Sequence, residues 1–333
     1  MNNMAVAEHD VVLSSRVRLA RNYRDVHFLP TMTKEMAEEN INRAVNAVGN
    51  SDYRLIRMRE LSEAQRQDLV EHHVISYDLL KYTDRSATLL SQDETVSIMV
   101  NEEDHLRIQG LLPGLQLESA AEMAFHADDL LGQCGRYAFD AQWGYLTSCP
   151  TNTGTGMRAS TLLHLPALTA SGQINQVVQA IAKLGMTVRG LYGEGSDAVG
   201  CMYQLSNQVT LGRSEDDIIR SLVAATMQLA GNERSVREQM IMDDAVLVAD
   251  KLMRSVGIAK TARIMTLTEF MTRMSDLRCA SVLGFIDFSL SDIDCLTKDL
   301  QNGSLSKSID QGIDARKVDL LRADRLRSAL RNI

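Results

Sequence analysis

Three short segments of this chain gather residue types that are costly to bury without a ligand. Asn101-Glu102-Glu103-Asp104-His105-Leu106-Arg107 sets carboxylates beside an arginine, and Cys149-Pro150-Thr151-Asn152 sets a thiol on a turn ahead of Arg158. Ser14-Ser15-Arg16-Val17-Arg18 separates two arginines by one residue, and Arg189 follows in a later apolar run. Mixed charge held between apolar segments demands a partner. Arginine suits a polyphosphate, because its planar fork binds phosphate oxygens in pairs. Carboxylates suit a guanidinium, which is protonated at neutral pH and must be held and relieved of a proton before it can act as a nucleophile. The pattern points to phosphoryl transfer.

Positioning these groups calls for a mixed α and β framework. Residues 11–19 alternate, with Leu13, Val17 and Leu19 on one side and Ser14, Arg16 and Arg18 on the other, so a strand here aims both guanidinium groups the same way. Helices are predicted at 34–48, 62–77 and 118–134, and strands at 86–91 and 94–100 joined at Gln92-Asp93. A further helix is predicted from near Arg158 to about residue 170. Gly185 ends a helix before a strand at 186–191, Gly193-Glu194-Gly195-Ser196 reads as a mobile loop, and a strand follows at 199–206. Ser214-Glu215-Asp216-Asp217 opens a long helix with acids in its first turn. Residues 214–333 contain no proline and read as successive helices, broken at Gly257 and at Asn302-Gly303. A boundary near 235–255 divides the chain into a first domain, 1–235, and a helical second domain, 236–333.

Composition narrows the function classes. A chain of 333 residues suggests about two domains, and 45% apolar with 23% charged residues is ordinary for a soluble protein with a full core. A net charge of −8 argues against a general nucleic-acid binder. No apolar run approaches the roughly 18 residues of a membrane span, and no signal-peptide pattern opens the chain, so no membrane association is expected. Five cysteines, odd in number and without a C-x-x-C pair, argue against a disulfide framework or a cysteine-built zinc site and favour the cytoplasm. Taken singly, each candidate also has a structural reading. A strand arginine is usually solvated, Cys149 could be a small buried hydrophobe, His73 sits in an amphipathic stretch, and Asn101 could cap a strand end.

Taken in order, residues 14–18, residues 101–107, Cys149-Pro150-Thr151-Asn152-Thr153-Gly154-Thr155-Gly156-Met157-Arg158-Ala159 and Val188-Arg189-Gly190 resemble the signature blocks of the phosphagen (guanidino) kinase family. The resemblance covers roughly residues 10–235. Arg158-Ala159-Ser160-Thr161-Leu162-Leu163-His164-Leu165-Pro166, Gly190-Leu191-Tyr192-Gly193-Glu194-Gly195-Ser196-Asp197-Ala198 and Tyr203-Gln204-Leu205-Ser206-Asn207-Gln208 are similar to its bacterial protein-arginine kinase branch. That resemblance implies an α+β fold, with an antiparallel β-sheet flanked by helices and then a helical domain for dimerisation and regulation. It implies that the helical domain preceding these blocks in creatine and arginine kinases is missing here, leaving the site open to a protein chain.

The implied reaction is transfer of the γ-phosphoryl group of ATP, with Mg2+ bound through the nucleotide, to arginine side chains of proteins, marking them for degradation. The alternatives are a kinase for a small guanidino compound and an inactive phosphoarginine-binding adaptor. By resemblance Glu103 and Glu194 align and deprotonate the acceptor, with Cys149 and Asn101 shaping their pocket. ATP falls to Ser14, Ser15, Arg16, Val17, Arg18, His73, Arg107, Arg158, Ala159, Ser160, Thr161, Leu162, Arg189, Gly190, Leu191, Tyr192 and Gly193, with no metal ligated by the protein itself. Ala323-Asp324-Arg325-Leu326-Arg327-Ser328 is nearest to a phosphoarginine-binding element, from which Asp324 and Arg327 carry over. Implied partners are a second copy of the chain, an McsA-type activator and a Clp-type unfoldase.

Overall fold

The computed structural model describes residues 6–49, 52–190, 198–308 and 314–331. The first elements are β1 (Val12–Arg21), α1 (Lys34–Val48), β2 (Tyr53–Arg57), α2 (Glu63–Glu71), β3 (Ala87–Ser91), β4 (Val96–Val100) and β5 (Leu106–Pro113). Then come α3 (Leu117–Gly132), β6 (Phe139–Asp140), β7 (Gly144–Tyr145), β8 (Met157–His164), α4 (Pro166–Ala170), α5 (Ile174–Ala182), β9 (Met186–Gly190) and β10 (Met202–Asn207). The remainder is helical: α6 (Glu215–Thr261), α7 (Leu267–Val282), α8 (Leu290–Asp299), α9 (Asn302–Ser306) and α10 (Ala315–Ala329).

Eight strands form one antiparallel sheet in the order β2-β3-β4-β5-β1-β8-β10-β9, so β1 lies between β5 and β8 near its centre. Alternate residues of these strands enter a core against the helices. Val17 and Leu19 of β1, Ile108 of β5, Ala159 and Leu163 of β8 and Leu205 of β10 are fully buried with Ala120 and Ala124 of α3 and Leu222 of α6. Helix α3 can lie this close because β5 offers Gly110, where an added Cβ would sit 2.2 Å from the Ala120 carbonyl oxygen. A separate apolar cluster joins the second half of α6 (Leu252, Val256) to α7 (Phe270, Met274) and α10 (Leu326).

Helix α6 begins where predicted, with the Ser214 side chain accepting from Asp217 N and acids in its first turn. It passes from one cluster to the other with a single non-helical residue, Asp244, at φ −159° and ψ 85°. Gly257 lies within α6 and does not break it. Among the described residues no helix is long and apolar enough to cross a membrane.

The predicted helix from Arg158 is instead strand β8, followed by the short α4 that Pro166 opens. Its apolar run is buried on the core side at Met157, Ala159, Thr161 and Leu163, and such a run cannot be told from a helix by composition alone. The helix predicted over 62–77 stops at Glu71, because His73 takes φ 59°. Of the strand predicted at 199–206, Val199–Cys201 is a short 3-10 turn and β10 starts at Met202. Strands β2 and β5 carried no sequence-based prediction. The loop at 193–196 lies outside the described residues.

The contact between α3 and the sheet is backbone against backbone, so neither side can yield to an added methyl. Gly110→Ala is expected to destabilise the fold by about 1–3 kcal/mol, read as a lower urea midpoint with an unchanged m-value.

Candidate active site

Register places the arginines. Arg16 pairs across β1 with Ser160 of β8 and Leu111 of β5, and Arg18 with Arg158 and Gln109. Ala20 stands opposite Arg107, while Leu162 stands opposite both Ser14 and Gln204, and Gln204 opposite Arg189. Directly paired residues project to the same side of a sheet. Arg16, Arg18, Arg107, Arg158 and Arg189 therefore rise from four strands on the face that α3 does not cover.

Their charges are poorly matched by acids. Among the described residues no carboxylate pairs with Arg16, Arg18, Arg158 or Arg189, and Nε of both Arg18 and Arg107 is buried without a partner. Burial, then the Arg107 and Arg158 charges, pushes Arg16 down to about 10. Burial, then Arg16 and Arg107, pushes Arg18 well below its ordinary value, and burial with Arg189 and Arg107 lowers Arg158. Like charges crowded together in this way make an anion hole.

Beside them a cleft of about 160 Å³ is lined by Ser14, Arg16, His73, Leu111, Ser160, Leu162 and Gln204. Burial and Arg16 push His73 down to about 3, which leaves its ring neutral, and its carbonyl accepts from Gln109 Nε2 at 2.7 Å. A neutral imidazole with apolar side chains presents a surface suited to a flat heterocycle.

The carboxylates come from the turn between β4 and β5. Asn101 N donates to His105 O at 2.9 Å and Glu102 N to Asp104 O at 3.1 Å. His105 is held neutral, pushed down to about 4 mainly by burial, with Nδ1 accepting from Tyr23 N at 3.0 Å and Nε2 donating to His27 O at 3.1 Å. Asp104 accepts from Asn22 Nδ2 and Ser148 N, each at 2.7 Å, and Glu102 accepts from Ser76 Oγ. With those partners engaged, Glu103 is the acid that still faces solvent, its side chain 35% exposed. Burial, then the Asp104 charge, holds its carboxyl above the ordinary glutamate value. Arg107 Nη1 lies 3.5 Å from Glu102 and 4.0 Å from Glu103. Asn152 Nδ2 lies 3.5 Å from Glu103, in the turn that Cys149 begins, and the Cys149 Sγ is 3.0 Å from Thr151 Oγ1.

Comparison with known proteins fits this geometry. The family model of the ATP:guanido phosphotransferase C-terminal catalytic domain matches residues 35–236. The chain belongs to the ATP:guanido phosphotransferase family. The model of the protein-arginine kinase McsB C-terminal domain matches residues 245–333. A protein-arginine kinase of Caldanaerobacter subterraneus subsp. tengcongensis is 45% identical over 95% of this chain and 96% of its own length. One from an Exiguobacterium species is 43% identical over 96% of this chain and 93% of its own length. The substrate-free duplicated taurocyamine kinase of Schistosoma mansoni superposes with a TM-score of 0.58 at 28% identity, over 67% of this chain and 33% of that one. A lombricine kinase superposes at 0.61 and 23% identity, over 69% of this chain and 68% of its own, a likeness of fold.

Not every residue that this guanidino phosphotransferase was expected to use reaches the arginine face. Ser15, Val17, Ala159 and Thr161 point to the helix-covered side, a consequence of strand alternation. Ser15 Oγ donates to Gly114 O and accepts from Gln116 N, and Thr161 Oγ1 lies 3.0 Å from Thr226 Oγ1. Asn101 shapes the turn and does not enter the pocket: its Nδ2 donates to Arg85 O and Ala37 O, and its Oδ1 accepts from Asn40. Gly190 ends β9 opposite Tyr203, while Leu191, Tyr192, Gly193 and Glu194 lie outside the described residues. Asp324 and Arg327 pair with each other at 2.7 Å on α10, where Arg327 also donates to Ala262 O at the end of α6. Leu111, Gln204, Asp104 and Asn152 had no assigned role. Leu111 and Gln204 become visible only once strand register is known.

Crowded guanidinium groups oppose folding until an anion arrives. In the absence of ligand, Arg18→Gln is expected to raise the free energy of unfolding by up to about 1 kcal/mol, seen as a higher midpoint. Tripolyphosphate at 100 times its Kd is expected to stabilise the wild type by about 2.7 kcal/mol and the variant by much less, in paired thermal scans.

Proposed function

We propose that the protein phosphorylates arginine side chains of other proteins, using ATP. The observation that carries this reading is the convergence of Arg16, Arg18 and Arg158, without carboxylate partners among the described residues, with Arg107 next to the exposed Glu103. The cleft at His73 would take the adenine and the arginines the phosphates. A guanidinium nitrogen attacks the γ-phosphorus, an N–P bond forms, the P–O bond to ADP breaks, and the proton of that nitrogen passes to the Glu103 carboxylate. An arginine cannot lose this proton beforehand, so the base must act as the bond forms. The clamp supplies alignment and charge neutralisation, which is most of what phosphoryl transfer asks of a protein. Guanidinium groups offer no oxygen ligands, so Mg2+ would enter on the phosphate oxygens of the nucleotide. Glu194 is proposed as the second acid, and Cys149 as a group that positions the acceptor.

We further propose that residues 1–235 form the catalytic domain and 236–333 a domain for dimerisation and regulation in the cytoplasm. An McsA-type activator and a Clp-type unfoldase that takes up the marked proteins would be its partners. The C-terminal family model, which matches residues 245–333, supports the division into two domains.

Incubation with ATP, Mg2+ and an unfolded protein, read by phosphoarginine mass spectrometry beside free arginine and creatine, tests the reading. Label on the protein is expected. Glu103→Gln should lower kcat by about 10² or more, while the thermal shift given by nucleotide persists. Turnover of free arginine with no protein label would indicate a small-molecule kinase, and binding without turnover an adaptor.

A second expectation concerns pH. Because the Glu103 carboxyl is held above the ordinary 4.5, it gains its proton earlier as pH falls. The acid limb of kcat/KM should therefore lie above pH 4.5 and move in Glu103→Asp.

A further inference from the structure

The β6–β7 hairpin takes no part in the chemistry above, yet it exposes large apolar groups beside it. Phe139 and Trp143 are each 49% exposed and Leu146 is 40% exposed. Exposed apolar groups that lie together mark interaction sites when the backbone prevents them from folding inward. Here it does. Gly144 has φ 72° and would bring a Cβ to 2.4 Å from Gly154 O, and Tyr145 N donates to Gly154 O at 2.8 Å. The Tyr145 ring carries Phe139 edge-on at 5.2 Å and the Arg21 guanidinium at 3.5 Å, itself paired with Asp128 at 2.7 Å. The hairpin is thus a fixed ledge.

Two observations tie the ledge to the acceptor side of the site. Asn22 Nδ2 reaches both the Leu146 carbonyl at 3.0 Å and the Asp104 carboxylate at 2.7 Å, and Glu103 is the residue before Asp104. Leu146 is also three residues ahead of Cys149. The flank of the ledge is charged as well. Arg24 and Arg136 are exposed and have no carboxylate partner among the described residues, and Arg24 Nη2 donates to Phe139 O at 3.3 Å. With Tyr137 and Phe139 they line an open groove of about 740 Å³.

We propose that the ledge and groove receive the polypeptide on either side of the target arginine. An apolar or aromatic neighbour of that arginine packs on Phe139 and Trp143, and an acidic neighbour pairs with Arg24 and Arg136. A free guanidino compound would not fill an open groove of about 740 Å³ that shares Phe139 with the ledge, so the occupant is a polypeptide segment. The inference rests on the protein-arginine kinase reading.

The test uses the full chain and two peptides with one arginine each, one flanked by Phe and Asp, the other by Gly and Ser. Trp143 is the only tryptophan in the sequence, so its emission reports directly on the ledge. The Phe/Asp peptide is expected to shift that emission to the blue. Its kcat/KM should exceed that of the Gly/Ser peptide roughly tenfold, the size expected for one buried apolar side chain. In Phe139→Ser the ratio between the two peptides should fall towards one, and in Arg136→Glu, assayed also with a third peptide flanked by Phe and Lys, the preference should turn from the Asp-bearing to the Lys-bearing peptide. Variants that keep their thermal shift with nucleotide are folded and decide the matter. No emission change, with equal use of both peptides by the wild type, overturns the ledge but leaves the kinase reading standing. Turnover of free arginine with neither peptide used overturns the kinase reading itself, and the emission titration then still decides whether the ledge binds peptide.

Discussion

A like-charged cluster of guanidinium groups, forced onto one face of an antiparallel sheet, is the constraint around which this molecule is built. Arg16 and Arg18 are two residues apart on β1, so strand geometry gives them no choice but to share a side, and Arg158 is paired directly with Arg18. The sheet holds them there because its other face is mostly apolar and backed by α3 and α6, its few polar residues, such as Ser15, Thr161 and Arg21, being hydrogen-bonded or ion-paired. Each buried Val, Leu or Ile on that face contributes about 1.5–3 kcal/mol, enough in sum to offset the repulsion between charges on the opposite side. The close approach of α3 at Gly110 makes this backing rigid. Strain on the anion face is therefore not relieved by bending of the sheet.

The acid side follows a different logic. Four polar residues in the turn between β4 and β5 satisfy one another and the neighbouring loops: Asn101 toward α1 and Arg85, Glu102 toward Ser76, Asp104 toward Asn22 and Ser148, and His105 toward Tyr23 and His27. Buried polar groups left without such partners would cost about 1–3 kcal/mol each. The same network leaves Glu103 as the acid facing outward. One residue is made available because its neighbours are held by partners around the turn, with only the second carboxylate oxygen of Asp104 buried without one.

Helices from the C-terminal part brace both margins of the cleft. Gly303 of α9 lies so close to α2 that an added Cβ would meet Asp68 N at 2.4 Å, and its N–H donates to Glu71 at 2.7 Å, two residues before His73. At the other margin Gly200 meets the Met271 carbonyl of α7, where an added Cβ would come within 2.8 Å. The positions of His73 and of the chain entering β10 thus depend on elements distant in sequence.

Much of this was legible before any coordinates. The alternation around Arg16 and Arg18, helix α1, the β3–β4 hairpin and the capped start of α6 follow from local pattern, since period and capping are properties of neighbouring residues. The acid-bearing block and the thiol turn were also recognisable from residue type and spacing. What the sequence could not decide is which face each residue of a buried strand adopts, because an apolar run such as 159–165 has no unique period until its neighbours are known. Register then separated Arg158, Ser160 and Leu162 from Ala159 and Thr161, and Arg16 from Val17. It also brought Leu111 and Gln204 into the cleft, while hydrogen bonds to Asn40, Ala37 and Arg85 turned the Asn101 side chain away from it. Local chemistry was written in the chain, whereas its convergence required hydrogen-bond pairing between strands up to about 150 residues apart, a long-range contact that no local signal encodes.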